Sequence, residues 1–200
     1  MLAPDWGHQE REFPMRTFLA AAAFAAAVSM TASAEDFSAD TSLADDDRVV
    51  RSVSLEDLKA IAVSEGHTIT EVGGEGDVSV RATTADGLIF HLIGTACNSE
   101  YSDDCLGMMV QVRYDDDDEV TDAAINNANL SYAAVSTWWD KDGDTVGVTR
   151  YLILDGGQRM ENLKINLQNA LALGPLVADV IWPSDDEDLY DWLYDEEDDE

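Results

Sequence analysis

Basic residues are scarce in this chain. Its 200 residues hold 11 Lys and Arg against 42 Asp and Glu, a net charge of −31. Phosphate backbones and anionic headgroups are bound through neutralising Lys and Arg, so this balance sets aside nucleic-acid and peripheral membrane binding. Cysteine and histidine are scarcer still, at two and three, which leaves little material for a zinc site. Long apolar runs are also missing. The one unbroken run, Phe18 to Val28, is dominated by alanine and falls well short of the ~20 residues that span a bilayer.

That run has a different meaning in context. From Met15 the chain reads MRTFLAAAAFAAAVSMTASAED, with Arg16 as a short basic head and Ala32-Ser33-Ala34 as a small-x-small junction. The pattern predicts a secretory signal peptide over residues 15–34, cleaved between Ala34 and Glu35. Residues 1–14 (MLAPDWGHQEREFP) carry three acids against one base, a poor n-region, which favours translation starting at Met15. Cleavage leaves a chain with no stable membrane anchor and a net charge close to −30, because only two bases and three acids precede Glu35. The expected location is periplasmic or secreted.

Export determines how the cysteines are read. Cys97 and Cys105 are eight positions apart, flanked by acids, between the strand-like runs LIFHLIGTA and LGMMVQVRY. In an oxidising compartment two nearby cysteines pair. Zinc would want further Cys or His at characteristic spacings, and His67 and His91 do not supply them. A thioredoxin-like pair would need C-x-x-C. The expectation is a structural disulfide clipping a long hairpin loop, contributing about 2.5 kcal/mol by loop closure.

Residues 35–53 are polar and acidic and predict a flexible leader. The fold is expected over residues 54–183. Ser54 and Asp57 form a capping-box pattern ahead of a helix with Leu55, Leu58, Ile61 and Ala62 on one face, ended by Gly66. Three strands follow, HTITEV, DVSVRATT and LIFHLIGTA, with CLGMMVQVRY as a fourth. Apolar on both faces, LIFHLIG predicts a central strand. Thr121 can cap a second helix. STWWD and TVGVTRYLILD flank a Lys-Asp-Gly-Asp hairpin turn, and RMENLKINLQNALALG predicts a last helix, restarted as a short piece at Pro175. This order gives an α+β fold with helices against an antiparallel sheet.

Little of this resembles catalysis. Asp140 to Asp144 (DKDGD) invites a calcium reading, but Gly143 is fourth and Tyr151 twelfth, where an EF-hand needs Gly sixth and an acid twelfth. A plain turn is expected. GGEGD lacks the spacing of a phosphate-binding loop. His91 lies within an apolar strand, as a packed imidazole does. Asp115 to Glu119 reads as a solvated charge run. No nucleophile–base pair appears, so no catalytic residue, metal site or cofactor is expected.

Residues 184–200 (SDDEDLYDWLYDEEDDE) carry eleven acids and no base and cannot supply a core. Leu189, Tyr190, Trp192, Leu193 and Tyr194 cluster within them. The tail reads either as a solubilising extension or as a short motif that docks in an apolar groove.

Three stretches in order carry a family resemblance: LEDLKAIAVSEGHTI, GLIFHLIGTACNSEYSDDCLGMMVQVRY and INNANLSYAAVSTWWDKDGDTVGVTRYLILDGGQRMENL. Residues 54 to about 182 resemble the YbjN family of bacterial proteins, described as proposed sensory transduction regulators. Exported relatives often carry N-x-W-N in the middle helix, where this chain has Ile125-Asn126-Asn127-Ala128-Asn129. The resemblance implies a fold similar to type III secretion chaperones, an interaction surface on the sheet, and neither a catalytic residue nor a cofactor.

Together these readings predict a non-enzymatic exported module that binds a protein partner, chaperone-like or regulatory, with a homodimer as one option. Trp138, Trp139 and the tail cluster are the expected contacts. The alternative is a periplasmic sensor of a cation or small molecule working through the acidic loops.

Overall fold

A computed structural model describes residues 37–98, 104–116 and 120–183. Six strands form one antiparallel sheet: β2 (Thr68–Val72), β3 (Ser79–Thr83), β4 (Ile89–Thr95), β5 (Gly107–Asp115), β6 (Ser136–Asp140) and β7 (Thr145–Ile153). Their spatial order is β2-β3-β4-β5-β7-β6. A crossover through α2 (Asp122–Ser131) carries the chain from β5 to the far edge as β6, and the hairpin returns as β7 between them. The fold is α+β, as the order of periodic segments predicts.

One sheet face is apolar because alternate residues on each strand are. Val80, Ala82, Phe90, Leu92, Met108, Val110 and Val112 are fully or almost fully buried there under α1 (Leu55–Ser64) and α3 (Met160–Ile181). Ser54 caps α1 in the expected box: its side chain accepts from the Asp57 N–H, while Asp57 accepts from the Ser54 N–H at 2.8 Å. A second cluster joins α2, the C-terminal half of α3 and the β6–β7 hairpin around Ala128, Val146, Val148, Val177 and Ile181. Asn129 ties α2 to β6, its side chain donating to Thr137 O at 2.9 Å and accepting from Thr137 N at 2.8 Å.

Two expectations need correction. The first is the flexible leader. Its described part packs on the domain from Phe37 onward, with a 3-10 turn at Thr41–Ala44 and a short strand β1 (Val49–Val50) paired to β8 (Gln158–Arg159). Arg159 gives α3 no side-chain cap. The leader supplies one instead: Met160 N donates to Arg48 O at 2.9 Å and Glu161 N to Asp46 O at 3.3 Å. Buried Val50 and Val53 anchor the segment. Its charged side chains also find partners, Asp46 with Lys164, Asp47 with Arg159, and Arg48 with Asp57.

The second correction is Pro175, which lies inside a single helix, Met160–Ile181. Proline removes one backbone donor and normally interrupts a helix. Here it sits on the exposed side, while Leu163, Leu167 and Ala170 before it and Val177 and Ile181 after it are all buried. Packing at both ends outweighs the local break.

Candidate functional site

Among the described residues no helix packs on the other sheet face, and the register lays it out in rows. Ile93, Met109 and Tyr151 are paired across β4, β5 and β7; Arg81, His91, Gln111 and Thr149 form the next row, and Arg113, Gly147 and Trp138 the one after. Tyr151 and Ile153 are 53% and 65% exposed, at the end of β7 beyond its last pair with β6, Ser136 with Thr149.

Two aromatic side chains on this face are seated on glycines. A Cβ at Gly147 would fall 2.0 Å from Trp138 Cζ2, so the indole occupies the space a side chain would take. Its Nε1 donates to Thr149 Oγ1 at 2.9 Å. A Cβ at Gly107 would likewise meet Thr95 Oγ1 at 2.4 Å and Tyr151 Oη at 2.7 Å, and these two hydroxyls lie 3.2 Å apart. Trp138 thus has its ring held against the sheet and its polar tip satisfied, whereas Tyr151 has its hydroxyl held at Gly107 and its side chain half exposed.

A polar chain links Trp138 into the sheet. Arg113 grips Glu75 with both terminal nitrogens, at 2.7 and 2.8 Å, and donates through Nε to Gln111 Oε1 at 2.6 Å. Gln111 Nε2 donates to Thr149 Oγ1 at 3.0 Å, which also receives the Trp138 N–H. Glu75 comes from the β2–β3 loop, where Gly73 and Gly76 take positive φ, so GGEGD is a turn that also straps part of the face. The Arg113 hydrogen bonds hold the Glu75 carboxyl below its ordinary pKa. His91 lies beneath the strap, and burial, followed by the Arg113 charge, lowers its pKa. It is a packed neutral imidazole, as its strand position predicts.

The predicted contact residues separate. Trp138 is on the open face. Trp139 points to the opposite side, packed on the second cluster, with Nε1 donating to Asp116 Oδ2 at 2.5 Å and Lys141 4.2 Å above the ring. Cys97 and Cys105 are joined, S–S 2.05 Å, at the base of the β4–β5 loop, and Cys105 bridges to Val53. DKDGD is a plain hairpin turn whose Asp140 carboxylate accepts from Asp142 N and Gly143 N, both at 3.2 Å. Leu189, Tyr190, Trp192, Leu193, Tyr194 and the Ala34–Glu35 junction lie outside the described residues. Tyr151, Ile153 and the Glu75–Arg113 strap were not picked out by sequence. The first two carry a signal in TVGVTRYLI, where they alternate against inward Val146, Val148 and Leu152.

Among solved structures the chain resembles that of YbjN, a proposed transcription regulator from E. coli, with a TM-score of 0.47 and 13% identity over 65% of this chain and 91% of that one. A chain from the ExsC–ExsE complex is also similar, with a TM-score of 0.41 and 12% identity over 57% of this chain and 83% of that one. No family model matches the chain, and no curated protein sequence does.

What this site can do chemically follows from its residues. Among the described residues, no group of three or more His, Cys, Asp or Glu is placed to hold a metal ion, and no helix is long and apolar enough to cross a membrane. A ring-seated Trp138 and a Tyr151 held by its hydroxyl, with exposed Ile153 and half-buried Met109, form a patch with aromatic anchors already partly ordered, a property of interface anchors.

Proposed function

We propose that this protein is an exported, non-enzymatic, YbjN-like module, chaperone-like or regulatory, that binds a protein partner on the open face of its sheet. The observation that carries the reading is Trp138 seated over Gly147, with Tyr151 and Ile153 exposed on the same face, which no helix covers among the described residues. A surface built only for solubility would not seat the Trp138 ring on a glycine and leave Tyr151 and Ile153 in water. The disulfide fits an oxidising compartment.

The test is a cross-linking pull-down from periplasmic extract with residues 35–200, with the same chain carrying Tyr151→Ala and Ile153→Ser, and with a chain ending at Pro183. Capture by the first and third but not the second supports the face. Capture lost only with the tail moves the contact to Leu189–Tyr194. Unchanged capture by all three overturns the assignment to Tyr151 and Ile153.

A further inference from the structure

On the helix side of the sheet, a groove of about 450 Å³ opens between the C-terminal end of α1, the β3–β4 turn and the middle of α3. It shares no residue with the open face. Its apolar wall is Leu88, Leu171, Ala172 and Pro175, of which Leu88 and Leu171 also pack on the main core. Glu65 and Asp86 stand on opposite sides of it. Glu65 accepts from Gln168 Nε2 at 2.5 Å, and its nearest base, Lys164, is 3.9 Å away and committed to Asp46 at 2.7 Å. Asp86 accepts from the Thr84 hydroxyl at 2.5 Å. His67, edge-on to Phe90 at 5.0 Å, lies between them and is kept neutral mainly by burial, so none of the described residues that line the groove is a cation.

We propose that this groove is a second recognition site, which takes a short basic–apolar segment of a protein partner. The volume falls within the roughly 300–1,000 Å³ of ordinary ligand sites and suits two or three side chains. An apolar wall beneath two carboxylates matches a side chain with an aliphatic stem and a charged head, as lysine has, next to a leucine-like neighbour. The −31 net charge of the chain steers such a segment in and repels acidic ones. A bare metal ion does not fit, because the two carboxylates stand apart on separate walls and belong to no metal-holding group among the described residues.

The test uses three labelled octapeptides, alternating Leu and Lys, Leu and Ser, or Ser and Lys, followed by fluorescence anisotropy on residues 35–200. The Leu–Lys peptide is expected to bind tightest. Ala172→Trp fills the groove without changing charge, and because Ala172 is exposed the fold tolerates it. Binding should drop about tenfold or more. Glu65→Gln with Asp86→Asn should weaken binding and flatten its salt dependence, while Tyr151→Ala should change nothing. Full binding by Ala172→Trp would mean attraction to the acidic surface at large and would overturn the proposal. Equal binding of the Leu–Ser peptide would overturn the basic requirement. Loss of binding in Tyr151→Ala would move the peptide to the open face, sinking the groove while leaving the proposed function standing. No binding of any peptide contradicts the groove alone.

Discussion

The indole of Trp138 on β6 lies against Gly147 on β7, in the space that any side chain there would occupy, and donates to Thr149 Oγ1 at 2.9 Å. The glycine is a seat for the ring. Gly147→Ala should therefore lift the indole from the sheet and cost about 1–3 kcal/mol through overpacking. Thermal unfolding would report the loss, and intrinsic fluorescence would report the ring's move towards water. An unchanged melting temperature would mean the ring has other places to rest.

The strap should be sensitive to acid. The Glu75 carboxyl is held below its ordinary value of 4.5 by Arg113. Its pairing is therefore fully present above pH 4.5 and is lost as pH falls through the depressed folded-state value. Hydrogen exchange of residues 73–78, corrected for intrinsic rates, should stay slow from pH 7 to 5 and quicken below. Glu75→Gln should give the fast rates already at pH 7. Both partners are about one-third exposed, so global stability should change by less than about 1 kcal/mol.

Tyr114 offers an opposite case. Its hydroxyl is buried without a hydrogen-bond partner, and burial, with the Asp179 charge, raises its pKa to about 12. Burial of the neutral phenol contributes stability below the unfolded value near 10, and that contribution is lost as pH rises through about 12. Tyr114→Phe removes the stranded hydroxyl. It should leave neutral-pH stability unchanged or raise it by up to about 1 kcal/mol, and it should lessen alkaline unfolding. A drop at pH 7 would show that the hydroxyl is satisfied.

Asp57 holds three things at once: the Ser54 backbone, the Ser54 hydroxyl and the Arg48 guanidinium. It is 7% exposed. Asp57→Ala loses the α1 cap and strands Arg48, whose segment caps α3. A loss of about 2–4 kcal/mol is expected in denaturant titration. A loss below about 1 kcal/mol would mean that residues 40–53 are held by Val50 and Val53 alone.

Much of the fold was legible because its signals are local. The capping box at Ser54, the alternation in DVSVRATT and the turn at Asp-Gly each belong to one segment. The misses came from relations between distant segments. STWWD has no alternation to say which tryptophan faces out; only the pairing of Trp138 with Gly147 and Trp139 with Val146 decides it. The leader looked flexible because its side chains are acidic, yet its contribution to α3 is made by the carbonyls of Asp46 and Arg48, which composition does not reveal. Glu75 and Arg113 are 38 residues apart, and no spacing rule joins them. At Pro175 the local rule was sound, and tertiary packing overrode it.

The central claim is that the open face meets a protein. The most direct measurement places a photo-reactive benzoylphenylalanine at Tyr151 and, in a separate chain, at Ile165, which is 44% exposed on α3, each expressed in the native host and irradiated. The account predicts an adduct of defined mass from position 151 and none from position 165. Adducts of equal yield from both positions, or none from 151, would contradict it.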